Sequence, residues 1–290
     1  MKRILIAGCG DVALRLAPML RGRYRLFGLV RNASRSAELH NAGITPISGD
    51  LDHRRYLARI AGITNIVLHF APPPNSGTGD RRTRNLLAAL SRATLPEQLI
   101  YISTSGVYGD CGGAQVSETR ALNPQSPRAL RRVDAEQRIR AWAKRNRVSA
   151  SILRVPGIYA VERLPLERLR ANTPAIVAEQ DSYTNHVHAD DLARIVVAAL
   201  RRGKPNRVYH ASDDSEMKMG DYFDVVADAF HLPRPPRLPR AEAERAVSPM
   251  LWSFMNESRK LTNMRMKREL KVVLHHPTVR DALAEITSRR

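Results

Sequence analysis

Gly8, Gly10 and Ala13 stand in the spacing G-x-G-x-x-A. That spacing serves phosphate binding only between a buried strand and a helix. Ile4-Leu5-Ile6-Ala7 precedes it, an apolar run suited to a strand covered on both faces of a parallel sheet. Val12, Leu14, Leu16, Ala17 and Leu20 follow at mostly three- and four-residue intervals, which is helical spacing. Gly8 permits the tight turn, Gly10 lets a pyrophosphate reach the backbone, and Ala13 lets helix and strand pack closely. The helix start at Asp11 and Val12 turns free N–H groups and a partial positive charge toward such phosphates. A strand–turn–helix junction with no ligand has the same pattern.

The next candidate is Arg31, directly after the strand expected at Tyr24–Val30. In a dinucleotide fold an acidic residue here binds the 2′-hydroxyl of NAD, whereas an arginine pairs with the 2′-phosphate of NADP. Arg31, with Arg35 nearby, points to NADP over NAD; a plain surface arginine is the alternative.

These groups need a scaffold, and the chain supplies an alternation of strands and helices. Strands are expected at 44–47, 65–70, 99–102 and 148–154, and helices at 34–41, 56–60, 80–93 and 127–146. Short links between them imply an α/β fold, a Rossmann-type doubly wound parallel sheet. Residues 1–159 read as the dinucleotide-binding domain. Of 160–290, residues 183–211 are expected to return to that core, while 160–182 and 212–290 build a small C-terminal substrate lobe. Val155 to Tyr159 reads as a turn, and Leu232 to Pro239 as an extended proline-rich wrap.

Composition narrows the class. The 290 residues are 43% hydrophobic, enough for a core, with no apolar run of membrane-spanning length. Lys2-Arg3 before apolar residues suggests a signal peptide only weakly, because Asp11 and Arg15 interrupt the run. Cys9 and Cys111 form no metal-binding or redox spacing, so no metal is expected and a cytoplasmic location is. The net charge of +19 is spread over nearly every expected helix, which argues for solvated arginine-rich faces more than for nucleic-acid binding.

Taken together, several segments resemble the extended short-chain dehydrogenase/reductase family, also called NAD-dependent epimerase/dehydratases. They are the glycine motif, Gly49-Asp50-Leu51, His69-Phe70-Ala71-Pro72-Pro73, Ile102 to Gly109, Leu153 to Tyr159 and His186 to Leu192. The glycine motif is one residue shorter than the family's usual G-x-x-G-x-x-G, which marks an atypical subgroup. The resemblance implies that Asp50 and Leu51 contact adenine, that Ala71 and Pro72 line the pyrophosphate and ribose, and that Pro156 belongs to the cofactor site. It also implies that the Thr104 hydroxyl bonds a substrate oxygen.

One departure matters most. The family's catalytic pair is Tyr-x-x-x-Lys, and Pro127 and Glu136 fix its register here. Arg128 stands in the tyrosine place and Arg132 in the lysine place. Arginine stays protonated and cannot act as a base at neutral pH. Arg132 can still bind ribose hydroxyls; Arg128 can only hold or stabilise an anion, with Arg154 as a second candidate for that role. Tyr108, Tyr159, Tyr183, His186 and His188 are alternative acid–base candidates, but no second catalytic partner stands at a fixed spacing from any of them, which favours a packed or surface role for each.

Three functions follow. The first is an NAD(P)-binding oxidoreductase or epimerase acting on a hydroxyl or carbonyl of an anionic, nucleotide-sugar-like small molecule with a non-standard active site. The second is a cofactor-binding sensor or scaffold without catalysis. The third is nucleic-acid binding through the basic surface. The family also suggests a homodimer formed through the helices near 80–93 and 127–146.

Overall fold

The computed structural model describes residues 1–288. Its centre is β1 (Lys2–Ala7), in which Ile4, Leu5, Ile6 and Ala7 are fully buried. Each of the isoleucine and leucine side chains contributes about 1.5–3 kcal/mol on leaving water. On one side β1 pairs with β2 (Tyr24–Val30), which pairs with β3 (Ile44–Ser48). On the other it pairs with β4 (Ile66–His69), followed by β5 (Gln98–Thr104), Ser149–Val155 and Arg207–His210. All seven strands run parallel, in the order β3-β2-β1-β4-β5 and then the two later strands. The chain order reverses between β1 and β4, and open sheets of this kind bind ligands beyond the carboxyl ends of the strands at that point.

Helices cover both faces. On one face α1 (Asp11–Leu20) and the helix Ala189–Arg202 pack on Ile4, Ile6 and Leu153 through Leu16, Leu192 and Val196. On the other, α3 (Arg81–Leu90) and α4 (Pro127–Asn146) pack on Leu5 and Val67 through Leu86, Leu90, Ile139 and Trp142. Here α2 denotes Ser36–Asn41. The start of α4 is set by Ser126, whose Oγ accepts from Ala129 N at 3.2 Å, with Pro127 in the first turn. It stops at Arg147, in the left-handed conformation at φ 56°.

A separate apolar cluster gathers Tyr159, Leu164, Leu169, Tyr222, Phe223, Val226, Val279 and Leu283. One local expectation needs correction. Gly157–Tyr159 is not a turn but a short strand, parallel to His186–His188. Pro156 ends pairing in the main sheet, and the chain resumes with a distant partner. Within the proline-rich wrap, Arg237–Leu238 pairs with Ala175–Ile176. The helix expected at 56–60 is present as a 3₁₀-helix, Arg54–Ile60. Among the described residues no helix is long and apolar enough to cross a membrane, and no cluster of three or more His, Cys, Asp or Glu could hold a metal.

Candidate functional site

A cleft of about 630 Å³ opens at the carboxyl ends of β1, β2 and β4. Gly8 sits at φ +108°, and a Cβ there would lie 2.3 Å from Ala71 N, so only glycine lets β1 turn this close to the β4 loop. A Cβ on Gly10 would meet nothing within 4 Å, leaving backbone open to the cleft. Gly10 has no side chain to cap α1, so the amides of the first turn at Asp11 and Val12 are presented for an anion. Ala13 is fully buried against the sheet. An acidic residue at this helix start would repel phosphate, yet Asp11 is neutralised by Arg15 Nε at 2.8 Å and Arg163 Nη2 at 3.2 Å.

The far end of the cleft is basic. Arg31, Asn32 and Arg35 line it, and Arg35 Nη1 donates to Cys9 O at 2.7 Å. Gly49, Asp50 and Leu51 form one wall, with Ala71 and Pro72 opposite. An adjoining cavity of about 480 Å³ shares Arg31, Gly49 and Asp50 and adds Arg55, Tyr56 and Arg59. At the inner end Arg132 donates through Nη1 to Tyr101 Oη at 2.9 Å and to Ile102 O at 2.8 Å. An open glycine turn, an uncapped helix start and cations at both ends fit a dinucleotide.

A second cavity of about 480 Å³ adjoins the first through Ile158 and Arg163, which line both. Thr104 stands at its floor, at the end of β5, with Oγ1 accepting from Gly106 N at 3.2 Å. Arg128 also lines it, stacked over Phe254 at 3.9 Å, and Arg168 is stacked over Phe223 at 4.0 Å. Among the described residues neither arginine is in a salt bridge. Burial weakens both guanidiniums as bases, taking Arg168 down to about 10. Both are half-buried, a costly place for a cation without an ion-pair partner, and an anionic ligand would relieve that cost. The C-terminal segment adds Glu257 and Arg259, joined at 2.7 Å.

Several candidates from the sequence stand elsewhere. Tyr108 turns into the core, where its Oη meets His210 Nε2 at 2.6 Å and Arg154 Nη1 at 2.6 Å. Arg154 is buried in an ion pair with Glu136 and is not free to hold a substrate anion. His188 caps the helix Ala189–Arg202 and packs on His276 at 4.0 Å between ring centroids, away from both cavities. Pro156 lines the second cavity, not the cofactor cleft. Tyr159, Tyr183 and His186 do line the second cavity, but His186 is stacked on Tyr222 at 4.1 Å and burial holds it neutral, down to about 3. Arg163, Arg168, Glu257 and Arg259 escaped sequence reasoning. No local motif marks them, and only the excess of arginine in an expected substrate lobe could have drawn attention there.

A strand–glycine–helix phosphate cradle at a sheet's switch point, with a second cavity against it, defines a dinucleotide-dependent α/β protein. The chain belongs to the NAD dependent epimerase/dehydratase family, whose model matches residues 4–212. It is 26% identical over 192 residues to dTDP-glucose 4,6-dehydratase of Mycobacterium tuberculosis, a match covering 59% of this chain and 57% of that protein. The chain thus matches little more than half the length of that relative. A functionally unknown conserved protein from Silicibacter pomeroyi has the same fold, with TM-score 0.82 and 28% identity over 100% of this chain and 99% of that one. UDP-glucuronic acid 4-epimerase from Bacillus cereus, in complex with UDP-glucuronic acid and NAD, shares the fold at TM-score 0.77 and 19% identity, over 99% and 98% of the two chains.

Proposed function

We propose that this chain binds NADP(H) and acts as an oxidoreductase or epimerase on a hydroxyl or carbonyl carbon of an anionic, nucleotide-sugar-like molecule. The cofactor supplies reversible hydride transfer. Gly8, Gly10 and the first turn of α1 hold its pyrophosphate, Ala71 and Pro72 flank it, and Asp50 and Leu51 meet the adenine. Arg132 is placed to meet the nicotinamide ribose. Arg31 and Arg35, with no acidic residue at the end of β2, favour the 2′-phosphate of NADP over NAD. In the adjoining cavity Thr104 orients the reacting oxygen, while Arg128 and Arg168 take up the substrate's phosphate or carboxylate.

The observation that carries this reading is the pair of half-buried arginines, neither held in a salt bridge among the described residues, in a cavity that touches the cofactor cleft at Ile158 and Arg163. We also propose a cytoplasmic protein that pairs through α3 and α4, which light scattering of the purified chain tests directly. A second reading, a cofactor sensor without turnover, draws on Arg128 in the tyrosine place. Turnover separates the two. Protein loaded with oxidised cofactor (NADP or NAD) is assayed against dTDP-glucose and UDP-glucuronic acid, and protein with reduced cofactor (NADPH or NADH) against small ketones; formation or loss of reduced nicotinamide or a changed sugar supports the enzyme. Cofactor binding with no change in any member leaves the sensor.

A further inference from the structure

The family's tyrosine is missing from α4, yet the space it would serve holds another proton-transfer group. Glu257 arrives from the C-terminal segment, is only 8% exposed and lines the second cavity. Its charge acts on Arg128, the residue in the tyrosine place. A carbon built on Gly106 would lie 3.6 Å from Thr104 Oγ1 and 3.9 Å from Glu257 Oε2, so the hydroxyl and the carboxylate face one gap. The absence of a side chain at Gly106 keeps that gap open.

The carboxylate is held by Arg259, and the segment that carries it is anchored at each of the next residues. Oε2 accepts from Arg259 Nη1 at 2.7 Å, and the same nitrogen donates to Gly109 O at 2.8 Å. The next residue is clamped: Ser258 N donates to Asp110 Oδ1 at 2.7 Å, its carbonyl accepts from Cys111 N and Gly113 N at 3.0 Å each, and its Oγ accepts from Tyr183 N at 3.0 Å. Asn185 then fixes the strap on both sides, donating to Arg259 O at 2.9 Å and accepting from Leu261 N at 2.8 Å. Lys260–Leu261 completes it by pairing with Gln115–Val116. A group tied this firmly beside a bound reactant has the fixed position that proton transfer requires.

We propose that Glu257 is the catalytic base and acid of this protein, in the role the family gives to tyrosine. The inference rests on the hydride-transfer reading above. In the oxidative direction the substrate O–H bond breaks and its proton passes to the Glu257 carboxylate. The C–H electron pair leaves as hydride to the oxidised nicotinamide cofactor, and a C=O bond forms. In reverse, the carboxyl returns the proton to the oxygen as hydride arrives at carbon. Thr104 donates a hydrogen bond to that oxygen throughout.

The test compares wild type with Glu257→Gln and Glu257→Asp. NADPH titration comes first, since both variants are expected to bind it as wild type does, which shows that they are folded. If wild type itself binds neither NADPH nor NADH, the cofactor reading has failed and takes this assignment with it. Turnover of the substrate panel is expected to fall at least about 100-fold in Glu257→Gln, with Glu257→Asp in between. A readout without turnover uses NADPH-loaded protein and dTDP-glucose, a complex that lacks a hydride acceptor for alcohol oxidation. There Glu257→Gln is expected to weaken sugar-nucleotide binding about 10-fold, because a charge-assisted hydrogen bond to the hydroxyl is lost. Added formate is expected to restore part of the rate of Glu257→Ala. Turnover by Glu257→Gln within a few-fold of wild type overturns the assignment. So does a wild type that binds cofactor but converts no member of the panel.

Discussion

Arg154 closes on Glu136 through two contacts, Nη2 to Oε2 at 2.7 Å and Nε to Oε1 at 3.1 Å, with side-chain exposures of 4% and 2%. Ser103 Oγ donates to the same carboxylate at 2.6 Å, and Tyr108 joins through Arg154 Nη1. This network ties α4 to β5 and to the strand Ser149–Val155, and so fixes where Arg128 and Arg132 stand. Removing one charge leaves the other buried and alone. Glu136→Gln is therefore expected to cost about 3–5 kcal/mol. Urea unfolding should show a lower midpoint with an unchanged slope.

The cofactor preference is tested at the end of β2. Arg31→Ala combined with Arg35→Ala is expected to weaken NADPH binding about 10- to 100-fold while leaving NADH nearly unchanged, since only NADPH carries the 2′-phosphate. Nicotinamide fluorescence titrations of both cofactors give the ratio. Equal losses for the two would mean that the arginines hold the fold of the cleft instead.

Arg128→Ala and Arg168→Ala address the other cavity. Each removes a half-buried cation that stacks on an aromatic ring, over Phe254 and Phe223 respectively. UDP-glucuronic acid binding should weaken about 10-fold or more in each, with NADPH binding kept. Because Arg168 stands in no salt bridge among the described residues and burial disfavours its charge, Arg168→Ala should also melt no lower than wild type, and calorimetry checks that sign.

Buried ionisable groups predict the pH dependence of stability. His210 is held neutral, its pKa down to about 3, chiefly by burial, between Thr262 O and Tyr108 Oη. An unfolded histidine titrates near ~6.5, so between there and about 3 the unfolded chain binds a proton that the folded chain does not. Stability from this group is present above that window and falls as pH drops through it. His186 adds in the same direction. Asp213 opposes them, because burial raises its carboxyl to about 7, and its contribution is lost as pH rises from 3.8 toward that value. Melting temperatures from pH 8 to 5 should fall less steeply in His210→Gln than in wild type. Asp213→Asn should stabilise more at pH 8 than at pH 5.

What could be read beforehand depended on how local the signal was. The strands, the glycine turn and α4 carry their periodicity and caps within a few residues, as Ser126-Pro127 before a helical run illustrates. The strand Gly157–Tyr159 was hidden because Pro156-Gly157 reads as a turn and its partner, His186–His188, lies far along the chain. Tyr108 and Arg154 looked available from their place at strand ends. Their ends point inward because His210 and Glu136, both distant in sequence, complete the hydrogen bonds. Glu257 carried no motif at all; its position depends on contacts of Ser258 and Arg259 with loops that precede it by more than seventy residues.

The central claim is that the Gly8–Ala13 turn holds a dinucleotide whose 2′-phosphate meets Arg31 and Arg35. Equilibrium titration of the wild-type protein with NADPH and NADH, followed by nicotinamide fluorescence, tests it most directly. The account predicts saturable binding of both, with NADPH the tighter, and loss of both in Gly8→Val, whose side chain would collide with Ala71 N. Absence of saturable binding by either cofactor would contradict it.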